Sequence, residues 1–358
     1  MISRIKLHHF RNYNELRLDI AAPRNMFIGN NGQGKTNLLE AVFFTSMLRS
    51  FRTARLNDMK AIGSRGFYIG IEAFIGKWTK SFEVDYFNNS RRLLIDGNPV
   101  NKGSEFIRNL RTVAFLPDDI DIVTGNSGLR RRFVDMFLSV TDQLYMSCLH
   151  NYMSALKVRN MVLKDRNGDL KVAAAYEPVM AEAAAYIIAS RRHYAALLTG
   201  EVKQLLTGFY HENCEFSIRY RTDSDGDAAS FLRKLENERA RDKIRGFTGF
   251  GPQLDEFELF YNEKLLRNYG STGQCRLVSL CLKMANVNIL AADKNIRGDN
   301  IIVLVDDVTG ELDQHTRNCF FKVISIAGQS FFTFTAKPED DYFKDSAVFY
   351  VNDGKITP

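Results

Sequence analysis

Polar and apolar residues alternate on either side of a turn-prone tetrapeptide near the start of the chain. Ile5 and Leu7, then Leu16, Leu18 and Ile20, flank Arg11-Asn12-Tyr13-Asn14, so the pattern predicts an antiparallel hairpin. Met26-Phe27-Ile28 then runs into a glycine-rich loop, beyond which Leu38, Leu39, Val42 and Phe43 recur at helical spacing. That order is strand, loop, helix. From Phe67 to Ile95 the runs FYIGIEAFI, KSFEVDYF and RRLLI, closed by the turn Asp96-Gly97-Asn98, predict a small antiparallel sheet.

The period changes near Leu129. From there to Arg245 glycine and proline are sparse and helical spacing dominates, ending in a helix over Ala228 to Lys243 with Phe231, Leu232 and Leu235 on one side. Strand signals return after Gly246: Phe257 to Tyr261 reads as a strand, Cys275 to Ala292 as a largely buried helix, and Ile301 to Val305 as a wholly apolar central strand. A chain of 358 residues exceeds the size at which one core usually stops growing. The expected organisation is one α/β domain split between residues 1–125 and 246–358, with a helical lobe at 126–245.

Composition narrows the classes. With 45% hydrophobic and 25% charged residues the chain has ordinary globular usage, without the charge excess of a disordered protein. A net charge of +6 lowers the cost of approaching phosphates and so admits a polyanion partner. Cys148, Cys214, Cys275, Cys281 and Cys319 form no C-x-x-C pair and no zinc spacing, and scattered thiols suit a reducing compartment. The alternating N-terminus lacks the apolar core of a signal peptide, and no stretch approaches an unbroken run of about 18 apolar residues. A cytoplasmic protein without membrane contact is the expectation.

The chemistry lies in two distant motifs. Gly29-Asn30-Asn31-Gly32-Gln33-Gly34-Lys35-Thr36 fits G-x-x-x-x-G-K-[ST] between a strand and a helix, with Asn37 following. Its glycines let successive backbone N–H groups wrap a triphosphate, Lys35 supplies a point charge, and the Thr36 hydroxyl can ligate Mg²⁺. A bare glycine-rich turn has no use for the Lys-Thr pair. Farther on, the strand from Ile301 ends in Asp306-Asp307, adjacent carboxylates whose repulsion a cation relieves. Asp306 would bind Mg²⁺, directly or through water, and Asp307 would position or deprotonate the attacking water. The bland reading is two solvated acids at a strand end. Lys35 and Asp306 stand 271 positions apart (306 minus 35), as expected where a helical lobe interrupts a single ATPase domain.

Gly270-Ser271-Thr272-Gly273-Gln274 opens the helix at Cys275, where a serine is an ordinary N-cap. Its place between the helical tract and the acidic strand resembles the signature motif of ABC-type ATPases, and Glu311-Leu312-Asp313 resembles their D-loop. With Phe10-Arg11-Asn12-Tyr13, GNNGQGKTNLLEAVFF from Gly29, Ser50-Phe51-Arg52, FLPDDIDIVTGNSGLRRRFVD from Phe115, GSTGQCR from Gly270 and VDDVTGELD from Val305, the chain resembles the RecF family from end to end. Three places depart from the family pattern. Gly251-Pro252-Gln253-Leu254-Asp255-Glu256 stands where Gly-Pro-His-Arg-Asp-Asp is usual, Val308-Thr309-Gly310 where Leu and Ser are commoner, and Pro117-Asp118-Asp119 where Pro-Glu-Asp is usual.

The resemblance implies an ABC-type P-loop ATPase head of the SMC-like kind, with an antiparallel β-subdomain and a short inserted helical arm. It implies ATP and Mg²⁺ as cofactors, with Arg11, Ser271, Gly273 and Gln274 joining the phosphate loop in nucleotide binding, Ser271 acting on the partner copy of an ATP-dependent homodimer. It also implies double-stranded DNA with gaps or single-strand/double-strand junctions as ligand, RecO and RecR as partners in loading recombinase, and slow, switch-like hydrolysis. Three basic clusters are candidates for DNA phosphates: Arg49, Arg52 and Arg55; Arg130, Arg131 and Arg132; and Lys157, Arg159, Lys164 and Arg166. Each also reads as a solvated or salt-bridged face. An ABC transporter subunit, a P-loop kinase and a nucleotide-switched scaffold without meaningful hydrolysis remain as alternatives.

Overall fold

In the computed structural model, residues 1–107, 109–210, 214–293, 300–308, 310 and 312–358 are described. The N-terminal alternation forms β1 (Ile2–Phe10) and β2 (Tyr13–Asp19), followed by β3 (Arg24–Ile28) and α1 (Lys35–Met47). Next come β4 (Gly66–Ile75), β5 (Trp78–Phe87), β6 (Ser90–Ile95), β7 (Asn98–Pro99), α2 (Gly103–Ile107) and β8 (Arg111–Phe115). After them run α3 (Asp121–Thr124), α4 (Ser127–Thr141), α5 (Gln143–Lys164), α6 (Leu170–Tyr210), β9 (Phe216–Arg221), α7 (Ala228–Arg245), β10 (Glu256–Tyr261), β11 (Lys264–Leu265), α8 (Leu266–Tyr269) and α9 (Thr272–Ala292). β12 (Ile301–Asp306), α10 (Gln314–Ile324), β13 (Gln329–Phe334), β14 (Ala347–Asn352) and β15 (Lys355–Thr357) complete the chain.

The chain divides into two compact units, Met1–Asp119 with Leu280–Pro358, and Ile120–Ser279. The first holds two sheets. One is antiparallel, in the order β2-β1-β4-β5-β6-β7, and buries the predicted apolar face through Ile5, Leu7, Ile69, Ile71, Phe82 and Val84. The other has the order β15-β14-β3-β13-β12-β8 and is parallel except for the β14–β15 hairpin. β12 and β13 are buried at every position, as strands covered on both faces are; β12 is apolar from Ile301 to Val305, whereas β13 also buries Gln329, Ser330 and Thr333. α1 packs on this sheet with ten of its residues buried, among them Leu38, Leu39, Val42 and Phe44.

The second unit is mainly helical, built around α4 to α7. It departs from the sequence expectation in one element: β9 interrupts the helical tract and pairs antiparallel with β10, Phe216 opposite Tyr261 and Arg221 opposite Glu256. That pairing carries β10, β11 and the start of α9 into the same unit, so the compact units divide at 119/120 and 279/280 where the sequence places 125/126 and 245/246. The sequence also led us to expect no membrane-length apolar stretch, and composition corrects this. The helices Leu170–Phe209 and Thr272–Ala292 are long and apolar enough to pass for spans, with 44% and 61% of their apolar windows buried in protein. The first carries Glu177 and Arg191 buried in ion pairs, as a core helix does.

Candidate nucleotide site

β3 delivers the chain to Gly29, whose N–H donates to Phe334 O of β13 at 3.1 Å, and α1 begins at Lys35. The residue before the helix, Gly34, takes φ 118°, a left-handed value that an L side chain rarely adopts. A Cβ there would also strike the Asn12 side chain at 2.7 Å. Among the described residues no side chain caps the start of α1, which leaves its first N–H groups for the loop side. This is the geometry of an anion cradle on a helix N-terminus.

Lys35 Nζ donates to Gly29 O (2.6 Å) and Asn30 O (2.9 Å), spanning the mouth of that cradle. Burial holds the Lys35 ammonium below its ordinary pKa, with Asp307 and Asp306 opposing the shift. A partly desolvated cation beside a strong helix terminus is suited to an incoming polyanion, which would restore its lost solvation. Thr36 Oγ1 donates to Asp306 Oδ1 at 3.0 Å, bringing the loop threonine and the acidic strand together as the sequence predicted. Thr36 and Asp306 thus offer two hard oxygens side by side, the donor type Mg²⁺ prefers. Among the described residues no group of three His, Cys, Asp or Glu side chains could hold a metal ion. A divalent cation at Asp306 would therefore need oxygens from a bound phosphate.

Thr333 joins this site without a signal in the sequence. β13 lies between β3 and β12, and Thr333 stands opposite Asp306 in register. Its Oγ1 donates to Asp306 Oδ1 at 2.7 Å and accepts the Asp307 N–H at 3.1 Å. Asp307 takes φ 52°, a left-handed conformation that acidic residues tolerate better than most, and is exposed while Asp306 is buried. The turn separates two neighbouring carboxylates into two environments.

The hairpin tip between β1 and β2 braces the loop. Asn12 Nδ2 donates to Gln33 O (2.9 Å), Asn37 Nδ2 donates to Asn12 Oδ1 (2.7 Å), and Tyr13 OH donates to Gly34 O (3.0 Å). Burial keeps the Tyr13 hydroxyl protonated far above its ordinary pKa, preserving that donor. Arg11, expected to touch nucleotide, instead commits Nε and NH2 to buried Glu40 at 2.8 and 2.7 Å and NH1 to Asp58 O. Glu40 also accepts the Ser50 hydroxyl, and Ser50 Oγ accepts the Arg52 and Thr53 N–H groups. Arg11 therefore acts here on the support of the loop. Asn30, Asn31 and Gly32 are exposed at its rim.

Two other acidic segments have structural tasks. Asp119 pairs with Lys283 at 2.8 Å and accepts the Leu116 N–H; burial raises its pKa and Lys283 opposes the rise. Asp313 caps α10 by accepting from the Thr316 N–H and hydroxyl, which hold its carboxyl below the usual range. Thr309 and Glu311 lie outside the described residues.

In the second unit, Ser271 Oγ accepts the Gln274 N–H at 3.2 Å while Gln274 Oε1 accepts the Ser271 N–H at 2.9 Å. This is a reciprocal capping box at the start of α9. Ser271, Thr272 and Gly273 are exposed, so the capped end presents its hydroxyl to solvent.

The structure removes two residues from the DNA candidates. Arg130 is buried, with Nε and NH2 on Glu256 at 2.8 and 3.2 Å and NH1 on Gly125 O. Arg159 is fully buried and donates to Glu177, Asp242, Thr248 and Leu235 O. Neither guanidinium can reach a phosphate, because each is already neutralised inside the protein. Arg131 is half-buried and donates to Asp255 O, and Arg132 is half-buried. Arg49, Arg52, Arg55, Lys157, Lys164 and Arg166 are exposed. Gln253, at one departure from the family pattern, is engaged by Tyr152 OH and by Phe250 O.

Comparison with known proteins follows the same lines. Residues 4–113 match the family model described as AAA domain. The chain is 31% identical over 363 residues to the DNA replication and repair protein RecF of Clostridium botulinum (strain Okra / Type B1), covering 99% of both. It is 32% identical over 350 residues to that of Ruminiclostridium cellulolyticum, covering 94% of this chain and 93% of the other. Among solved structures it matches the recombination mediator protein RecF-ATPrS in the RecFOR pathway, with a TM-score of 0.88 and 27% identity, covering 99% of this chain and 97% of that one. An Smc head bound to the C-winged helix domain of ScpA shares the fold at a TM-score of 0.53 and 14% identity. The fold is the mixed α/β ATPase head that the motif order predicted.

Proposed function

Because the chain belongs to the RecF family of DNA replication and repair proteins, we propose that it is an ATP-dependent DNA-binding switch of recombinational repair. The reading is carried by one observation: Thr36 of the phosphate loop and Asp306 of the acidic strand meet at 3.0 Å although they lie 270 positions apart in sequence. A plain glycine-rich turn and a solvated acid pair have no reason to converge. A solved relative described as RecF-ATP supports the same ligand.

In this reading the α1 terminus and the loop N–H groups receive the phosphates, and Lys35 moves from the Gly29 and Asn30 carbonyls onto the β/γ-phosphates. Thr36 and Asp306 are the residues that would hold Mg²⁺, which would supply neutralisation of phosphate charge there. Asp307, exposed where Asp306 is buried, positions a water molecule and takes its proton. Ser271 and the N–H groups of Gly273 and Gln274 complete the site of a second copy, so ATP closes a homodimer and slow hydrolysis opens it. Exposed Arg52, Arg55 and Lys157, with Arg131 and Arg132, meet the phosphates of gapped or junction DNA. RecO and RecR are its partners in loading recombinase, in the cytoplasm.

Turnover measured with and without gapped DNA tests this. Stimulation by DNA is expected, whereas phosphorylation of a small molecule would point to a kinase. Absence of turnover with intact ATP binding would leave only a scaffold. Lys35→Met should weaken ATP binding about ten- to a hundredfold, the worth of a charge-assisted contact, and abolish ATP-dependent DNA binding. Ser271→Arg should spare ATP binding and block ATP-dependent dimerisation in size analysis. A dimer that still forms with ATP would refute the role of Ser271 in the partner's site.

A further inference from the structure

Gln33 of the phosphate loop is held from two directions by segments at opposite ends of the sequence. Its carbonyl accepts the Asn12 Nδ2 hydrogen bond at 2.9 Å from the β1–β2 hairpin tip and the Gly354 N–H at 3.1 Å from the β14–β15 turn. Its side-chain Oε1 accepts the Asp353 N–H at 2.6 Å. We propose that Gln33 and the Asp353–Gly354 turn form a clamp that fixes the phosphate loop in its nucleotide-binding conformation. Gln33 is thus a positioning residue rather than a phosphate ligand through its side chain. This rests on the ATP reading given above.

The sheet explains why that turn reaches the loop. β14 pairs parallel with β3, Tyr350 opposite Ile28, so the chain leaving β14 emerges beside the chain leaving β3 for the loop. The two approach closely. A Cβ on Gly29 would lie 2.2 Å from Val351 O, and one on Gly354 would lie 2.4 Å from Asn12 O. Gly354 is buried with φ 70°, and Asp353 before it has φ 46°. Two successive left-handed residues make the tight turn that aims both N–H groups at Gln33. Asn12 carries the other jaw: its Oδ1 accepts from Asn37 on α1 while its amide donates to Gln33 O. Loop, helix start, hairpin tip and turn therefore share one hydrogen-bond chain. Bound phosphates that draw in the loop N–H groups should tighten it, so the exchange of distant amides at 353 and 354 should report nucleotide binding.

The first measurement needs no variant. Hydrogen exchange of the Asp353 and Gly354 amides, followed by NMR with and without a saturating non-hydrolysable ATP analogue and Mg²⁺, should slow at least severalfold on binding. Unchanged exchange in a protein that calorimetry shows to bind the analogue overturns the clamp and leaves the ATP reading standing. If the wild type binds no analogue, both fall. Gln33→Met keeps the length of the side chain and removes Oε1. It should weaken analogue affinity about three- to tenfold, the worth of a lost hydrogen bond. At saturation its Asp353 amide should show no slowing, while Gly354, still facing the Gln33 carbonyl, keeps part of its response. Wild-type affinity and full Asp353 slowing in that variant overturn the proposal.

Discussion

Arginine is used in opposite ways in the two units. In the helical unit Arg130, Arg159 and Arg191 are buried and pair with carboxylates from other elements, Glu256, Asp242 and Asp255 among them. In the ATPase unit Arg49, Arg52 and Arg55 sit exposed on the segment following α1. In the sequence both look like basic clusters. The difference is where each cluster's counter-charges fold to: Arg159 finds Glu177 and Asp242, and Arg191 finds Asp135 and Asp255, whereas among the described residues the Arg52 side chain donates to the neutral Asn37. A buried guanidinium with satisfied partners organises a core, and an exposed one remains available to phosphate.

The largest break in that comparison is expected at Arg159. Arg159→Met removes a guanidinium from a site where Arg, Glu177 and Asp242 side chains are 0%, 1% and 0% exposed. Removing one partner strands the others as buried charge, so unfolding stability should fall by about 3–5 kcal/mol. Arg239 on Glu177 and Arg245 near Asp242 hold the loss toward the lower end of that range. Chemical denaturation measures the loss. The folded fraction should keep its DNA affinity, and a selective loss of DNA binding at unchanged stability would return Arg159 to the interface.

Arg52→Ala should do the reverse at smaller size. Its backbone N–H is held by Ser50 Oγ and its exposed side chain donates to the neutral Asn37 Oδ1, so stability should change little. If it meets a DNA phosphate, affinity should drop a fewfold and the slope of log affinity against log salt should fall by about one, the share of one released counterion. A titration at several salt concentrations reads both. An unchanged slope removes Arg52 from the interface.

The same contrast marks what was legible in the sequence. The β1–β2 hairpin, the phosphate loop, α1 and the β12 strand could be read because their signals are local: alternation, helical spacing, a glycine pattern, an unbroken apolar run. β9 was hidden inside a helical tract because Phe216–Arg221 gains its strand character from pairing with β10, some forty residues farther on. Thr333, Asn12 and Glu40 went unnoticed as parts of the site for a related reason. Thr333 reaches Asp306 only through the register of β13 on β12, and Glu40 shows its role only once Arg11 and Ser50 are folded onto it. Buried charge was the hardest to see, since partners for Arg159 come from positions 177, 242 and 248.

A third pairing lies between these extremes and gives the smallest effect. On the outer face of the antiparallel sheet Glu72 accepts from Lys6 at 2.8 Å and Arg4 at 3.2 Å, with its side chain 26% exposed. The hydrogen bond from Lys6, and then the charges of Lys6 and Arg4, hold its carboxyl below the ordinary value of 4.5 against the opposing effect of burial. A carboxyl with a depressed folded pKa gives up its proton more readily folded than unfolded. Its contribution is therefore complete above about pH 4.5 and is lost as pH falls through the lower, folded value. Partly exposed pairs are worth about 0.2–1 kcal/mol, so Glu72→Gln should cost no more than that at neutral pH and nothing at the acid end. The signature is convergence: denaturation midpoints of wild type and variant, apart at pH 7, should meet as pH drops below the carboxylate range. A constant offset at all pH values would mean that Glu72 contributes by packing rather than by charge, like a core residue and unlike an open salt bridge.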